Sequence, residues 1–248
     1  MRFAVCIVAV APVRKEPSHK SEMVSQLLLL EAVVILEVLP DFVKVKCLYD
    51  GYEGWCQIIQ LVETDTLPET SGWHQQALNE VYIHQQAICV SLGTPWNNKA
   101  IILPFFDISF QISQPPAALY FTEKNIKQIS YSFLGTPYLW GGKSVFGIDC
   151  SGFTQQVFKL FHVVLPRDAY QQAELGNSIG FLEEAKCGDL AFFDNEEGRI
   201  THVGILLNAY TIIHASGYVK IDAIDNMGII TTPHSKRTHH LRLIKSFR

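Results

Sequence analysis

No two cysteines in this 248-residue chain lie close together: Cys6, Cys47, Cys56, Cys89, Cys150 and Cys187 stand singly. That spacing lacks the paired rhythm of a secreted disulfide framework and fits reduced thiols. Neither Cys-x-x-Cys nor His-x-x-x-His occurs, so the local ligand pairs that start most zinc sites are missing. No run of Lys or Arg exceeds a pair, and the net charge is −4. The basic footprint that nucleic acid or an anionic membrane requires is absent, and neither partner is expected. No segment reaches the roughly 18 apolar residues of a spanning helix. Disorder is excluded too, because 48% hydrophobic against 18% charged residues is the balance of a chain that buries a core.

The amino end, Met1-Arg2-Phe3-Ala4-Val5-Cys6-Ile7-Val8-Ala9-Val10-Ala11-Pro12, has the outline of a leader, with one basic residue before an apolar stretch. The stretch is short and runs without a break into Val13-Arg14-Lys15-Glu16-Pro17, so a strand is expected instead. Together with the single thiols, this gives the expectation of a cytoplasmic protein, and a monomer is expected.

Three regions differ in pattern. Residues 3–62 hold short β-branched runs such as Val33-Val34-Ile35-Leu36 and Phe42-Val43-Lys44-Val45-Lys46, divided by Pro40-Asp41 and Asp50-Gly51. This small-barrel pattern, closing on Asp50-Gly51-Tyr52-Glu53-Gly54-Trp55, resembles a bacterial SH3-like domain over 1–64. Leu30 and Phe42 stand where that family more often has Gly and Trp. Residues 65–116 begin in a polar break, continue in strand-like pieces and end at Gln114-Pro115-Pro116. A second, degenerate SH3-like unit is expected there, the alternative being a long decorated linker.

The third region, 117–248, holds the chemistry. Thr122 or Asn125 starts a helix through Ile126, Ile129 and Phe133, which Gly135-Thr136-Pro137 ends. Phe153, Val157, Leu160 and Phe161 then repeat at helical spacing up to Pro166, so an amphipathic helix begins almost at Cys150. The free N–H groups and dipole of such a terminus favour thiolate, the nucleophilic form. The other five cysteines read as small buried hydrophobes. Downstream, Ile200 to Leu207 and Thr211 to Ala215 read as strands joined near Asn208. A hairpin centred there puts His202 and His214 directly opposite, with Cβ atoms about 5 Å apart. One imidazole then takes the Cys150 proton and the other orients it. His19, His74, His84, His162, His234, His239 and His240 read as surface or structural, the last two in a basic carboxy-terminal tail. A zinc site from Cys150, His202 and His214 is the competing account, disfavoured by the missing ligand pairs.

Six ordered motifs resemble the NlpC-type peptidoglycan cysteine peptidases: Gly135-Thr136-Pro137-Tyr138-Leu139-Trp140-Gly141-Gly142, Asp149-Cys150-Ser151-Gly152, Leu165-Pro166-Arg167-Asp168-Ala169, Gly188-Asp189-Leu190, His202-Val203-Gly204 and His214-Ala215-Ser216. The resemblance implies an α+β, papain-like catalytic domain over 117–248 in which Cys150 attacks, His202 is the base and His214 orients it, without a cofactor. Tyr138 resembles the family tyrosine near the oxyanion site, the alternative being aromatic packing beside Trp140. Asp149 and Ser151, which flank the nucleophile, are candidates for substrate contact.

SH3-like units before such a domain resemble the branch that cleaves γ-D-glutamyl-L-diamino acid bonds in free wall peptides. In that branch an acidic pair receives the free amine of an N-terminal L-Ala. Asp168 matches one member by motif; Glu53 is the candidate for the second, and Tyr82 for lining the amine pocket. A buried ammonium must meet carboxylates whatever the family. The expected function is hydrolysis of murein tri- or tetrapeptides in wall-peptide recycling. The alternative is a secreted or envelope wall-lytic endopeptidase that uses the SH3-like units to bind peptidoglycan.

Overall fold

Short β-branched runs broken by Gly and Pro turns favour strands over helices. The computed structural model of the chain, which describes residues 1–110, 116–231 and 236–248, is built mainly of strands. The Gln114-Pro115 break and His234 lie outside the described residues. Two compact units are present: Met1–Ala118 with Trp140–Phe146, and Leu119–Leu139 with Gly147–Arg248.

In the first unit β1 (Phe3–Cys6), β2 (Val10–Arg14), β3 (Met23–Leu28), β4 (Ala32–Val38), β5 (Phe42–Cys47), β6 (Glu53–Gln57) and β7 (Leu61–Thr64) form one antiparallel sheet in the order β3-β2-β6-β5-β4-β1-β7. The amino end is thus two strands. Ala4, Val13, Val33, Val43 and Val45 fill its core. Leu30 adopts φ +67°, the left-handed region that glycine prefers, which explains why the related pattern has Gly there. Strain of about 1–3 kcal/mol at such a residue is offset by burying the leucine, worth roughly 1.5–3 kcal/mol.

Residues 72–110 carry β8 (Gly72–Trp73), β9 (Leu78–Ile83), β10 (Gln86–Ser91), β11 (Pro95–Trp96), β12 (Ile101–Leu103) and β13 (Phe106–Phe110), as a four-stranded sheet β10-β9-β13-β12 and a β11–β8 pair. Their Val81, Val90, Ile101 and Ile108 share a buried cluster with Val5, Ile7, Leu29 and Leu30. One hydrophobic core therefore crosses the boundary expected at 64/65.

A segment of the catalytic motif also belongs to this unit. Trp140 Nε1 donates to Glu22 Oε1 at 2.7 Å. Gly141, at φ +77°, runs against the Met23 carbonyl so closely that a Cβ would sit 2.5 Å from its oxygen. Lys143, on β14 (Lys143–Ser144), is fully buried with its Nζ 3.5 Å from Glu31 Oε2 and 3.9 Å from Asp50 Oδ2. The charges meet each other away from water, which anchors the segment.

The second unit contains β15 (Gly147–Ile148), α1 (Glu123–Tyr131), α2 (Cys150–Lys159) and α3 (Ala169–Gln172). Its sheet consists of β16 (Asn177–Ile179), β17 (Leu190–Asp194), β18 (Ile200–Asn208), β19 (Thr211–Ser216), β20 (Tyr218–Asp225), β21 (Gly228–Thr231) and β22 (Lys236–Ser246). The order is β16-β22-β17-β18-β19-β20-β21, and β22 also pairs with β21, so the strands from β17 to β22 close on themselves. Thr122 caps α1 by accepting from Asn125 N. Helix α2 differs from the amphipathic expectation because all ten of its residues are buried. Two of its polar side chains are matched locally: Thr154 Oγ1 donates to Gln172 Oε1 at 2.7 Å, and Gln155 Nε2 donates to the Leu165 carbonyl at 2.9 Å, whereas the buried Gln156 amide has no hydrogen-bond partner among the described residues. A helix enclosed on every side holds its first residue, Cys150, in a fixed place.

Candidate active site

Asp149 is the N-cap of α2: at φ −96° and ψ 178° it turns its carboxylate back to accept the Gly152 N–H at 2.7 Å. That carboxylate is buried, and Arg167 grips it from the other side, Nη1 to Oδ1 at 3.0 Å and Nη2 to Oδ2 at 2.5 Å. Arg167 Nη1 also donates to Ser151 Oγ at 2.9 Å. Asp149 and Ser151 thus form, with Arg167, a bidentate clamp that fixes the helix start, a different task from the substrate contact expected of them. The neighbouring Asp168 is the N-cap of α3 and makes no cap hydrogen bond with its side chain.

Cys150 is only 7% exposed, and burial pushes its thiol up to about 12. The Asp149 charge pushes the same way, against Arg167 and hydrogen bonds with the Val203 and Ser151 backbones. The thiolate expected from the helix terminus is therefore outweighed by desolvation. Acidity does not single Cys150 out either, since burial drives Cys47 and Cys56 to about 12 as well. Its surroundings do: its sulfur meets the backbone of Val203, the residue after His202 on β18.

The imidazoles form a relay across three adjacent strands. His202 Nε2 and His214 Nδ1 are 2.8 Å apart, and His214 Nε2 lies 3.0 Å from Asp222 Oδ2 on β20. The pairing differs from the register expected. The turn is closed by the Asn208–Thr211 pair and so lies beyond Asn208, and the β18–β19 ladder, with an irregularity between Leu206 and Asn208, matches Ile205 with Ile213. His214 consequently packs beside Gly204, whose added Cβ would fall 2.9 Å from His214 Cβ. Because Gly204 has no side chain, the two rings meet diagonally rather than directly opposite.

Both imidazoles are held neutral. His202 is lowered well below the ordinary value of 6.5 by burial first, then by His214, His239 and Lys220. His214 is lowered by burial, opposed by its hydrogen bond to Asp222. The thiol and both imidazoles are thus uncharged at rest, so a reaction that uses them would move the thiol proton only as the electrophile is attacked. Protonating His202 removes the base, and its lowered value means this happens only in acid. The acid limb of kcat/KM is accordingly expected below pH 6.5, with a flat neutral region; a limb at or above 6.5 contradicts this state.

Tyr138 is held by its N–H to the Gly217 carbonyl at 2.9 Å and by a bridge to Ile148, two residues before the nucleophile. Burial, then the Cys150 and Asp149 charges, push its phenol up, so the hydroxyl keeps its proton and is a donor. Tyr138, Thr201, His202, Ala215, Ser216 and His239 line a cavity of about 260 Å³. Tyr138 thus shares this cavity with His202.

His239 and Asp222 are two further side chains at the relay, neither expected there from the sequence. The expected basic tail is strand β22, and His239 on it stacks against His202 with ring centroids 4.2 Å apart. Pairing of β22 with both β17 and β21 brings this about, and no local pattern reveals it. Asp222 was open to discovery from the Ser216-Gly217 turn, which returns the chain along β19 two residues out of step with His214. Glu53 and Tyr82 lie in the first unit. Glu53 is on β6, with Lys44 Nζ at 3.7 Å and Lys46 Nζ at 3.9 Å from its carboxylate oxygens. Tyr82, on β9, donates to Glu80 Oε1 at 2.6 Å.

A nucleophilic thiol on a helix start, a base and an orienting imidazole on an adjoining sheet define a papain-like thiol peptidase. Residues 135–238 match the NlpC/P60 family and residues 13–61 match the bacterial dipeptidyl-peptidase Sh3 domain. The chain carries an NlpC/P60 cysteine peptidase domain preceded by a bacterial SH3-like domain. The Sh3 match covers one stretch, where two SH3-like units were expected. A gamma-D-glutamyl-L-lysine dipeptidyl-peptidase of Bacillus subtilis is 46% identical over 96 residues, which span 38% of this chain and 32% of that relative. Another so named, from Bacillus cereus, is 25% identical over 229 residues, 80% of this chain and 68% of the relative. The fold is that of a crystallised NlpC/P60 family protein from Bacillus cereus, with a TM-score of 0.82, 20% identity and 99% of each chain covered.

Proposed function

We propose that this chain hydrolyses peptidoglycan-derived peptides at the bond between the γ-carboxyl of D-Glu and an L-diamino acid, acting on free peptides with an unblocked N-terminal L-Ala. The observation that carries the reading is the Cys150, His202 and His214 constellation; two relatives named for the γ-D-glutamyl-L-lysine bond supply the substrate class. Cys150 attacks the γ-carbonyl as His202 takes the thiol proton, and the Tyr138 hydroxyl with helix-start N–H groups supports the oxyanion. Collapse of the intermediate expels the diamino acid amine, protonated by His202, and leaves a thioester. Water deprotonated by the same imidazole releases L-Ala-D-Glu and restores the thiol.

Asp168 is the carboxylate we assign to the ammonium of L-Ala, since an ammonium leaving water needs a charged acceptor. The expected roles of Glu53 as a second acceptor and of Tyr82 are tested by the same assay in Glu53→Gln and Tyr82→Phe. A requirement for a free amine rejects acylated, wall-bound peptide and fits recycling in the cytoplasm. The test compares L-Ala-γ-D-Glu-L-Lys, its meso-diaminopimelate counterpart and their N-acetyl forms by mass spectrometry. Acetylation is expected to abolish cleavage, and Asp168→Asn to raise KM for the free peptide. Equal cleavage of free and acetylated peptide overturns the amine requirement.

A further inference from the structure

We infer that Asp222 is a positioning residue of the peptidase, fixing through His214 which nitrogen of His202 takes the Cys150 proton. This rests on the reading that His202 is the base for Cys150. The carboxylate of Asp222 is 3% exposed and lies on the strand next to His214. Its Oδ2 is 3.0 Å from His214 Nε2 and 3.1 Å from Lys220 Nζ, so the buried negative charge has a cationic partner as well as an imidazole.

Hydrogen-bond bookkeeping then runs one way along the relay. A carboxylate only accepts, so His214 Nε2 carries a proton and donates it to Asp222. His214 is neutral, which leaves a lone pair on its Nδ1. At 2.8 Å that lone pair must receive a proton from His202 Nε2. His202 is neutral in turn, so its Nδ1 is the one ring atom able to take a proton from the thiol. Without Asp222 the reverse assignment competes, with His214 donating from Nδ1 to His202 Nε2 and the proton of His202 on Nδ1. That tautomer has no base to offer Cys150. An imidazole has two equivalent ways of entering the relay, and the acid beyond it removes one.

The test uses the full chain. Histidine nitrogen shifts of the wild-type protein are expected to show Nε2 protonated and Nδ1 bare in both His202 and His214. Asp222→Leu, which has no acceptor, is expected to lower kcat and the rate of Cys150 labelling by iodoacetamide at neutral pH by about 10–100-fold, with KM little changed. Asp222→Asn, whose carbonyl can receive both His214 Nε2 and Lys220, is expected to keep the tautomers and most of the rate. A proton on His214 Nδ1 in the wild type overturns the proposal, even if Asp222→Leu fails to fold. So does a folded Asp222→Leu with unaltered labelling and histidine shifts. Labelling and shifts need no peptide, so a wrong substrate assignment shows as absent turnover with this relay intact.

Discussion

Cys150→Ala is expected to remove turnover, by a factor on the order of 10⁶, while the protein unfolds at nearly the wild-type temperature. The size follows from the proposed chemistry: among the described cysteines Cys150 is the one whose sulfur meets the backbone next to His202, and without it the proposed thioester has no sulfur to form on. The small change in stability follows from the packing. Removing one sulfur from the first residue of α2 leaves the Asp149 cap, the Arg167 clamp and the buried face of the helix in place. Turnover is read by peptide release and folding by calorimetry. Activity in a folded Cys150→Ala protein assigns the reaction to a different group.

Arg167→Met is expected to be the most damaging single change to the structure around the nucleophile. Both charges of the Arg167–Asp149 pair are buried, at 2% and 6% exposure, and the guanidinium is bidentate. Removing it takes the bidentate cationic partner from a carboxylate in the protein interior. Breaking one side of such a pair costs about 3–5 kcal/mol. For a chain of this size the second unit should melt roughly 10 °C lower. Activity should fall as well in whatever remains folded, because Arg167 is one of the groups that draws the Cys150 thiol down. An unchanged melting temperature in calorimetry contradicts the view that this pair holds the helix start.

Cys150, His202 and His214 are legible in the sequence as candidates because each sits in a short motif whose local structure is nearly self-determined. Asp149 caps, Cys150 starts the helix, and the glycine after His202-Val203 lies beside His214. What the sequence conceals depends on contacts between distant strands. The relay register hinges on the Asn208–Thr211 pair that closes the β18–β19 turn, the stacking of His239 on a closure between β21 and β22, and the reach to Asp222 on the pairing of β19 with β20. Periodicity specifies faces, whereas register needs the partner strand. Thiol protonation is hidden for a related reason. The helix terminus is visible in the sequence and favours thiolate, but the burial that overrides it comes from the whole unit.

The organisation of the first unit shows the same limit. Strands were expected from the β-branched runs and are found, yet Leu29 and Leu30 pack with Val81 and Ile108 in one cluster. Residues 140–146, which read as part of the catalytic motif, are held by Glu22, Gln26, Glu31 and Asp50. A linear division into three domains has no means of showing either, since both are choices of packing partner rather than of local structure.

The direct test of the account is a chemical quench during the first turnover of a γ-D-glutamyl peptide, followed by mass analysis of the digested protein. A thioester of L-Ala-D-Glu on the peptide carrying Cys150 is the result expected, formed before the free acid and absent from Cys150→Ala. Full turnover without any acyl adduct on Cys150, or turnover that a chelator abolishes, would show that bond cleavage proceeds by another route.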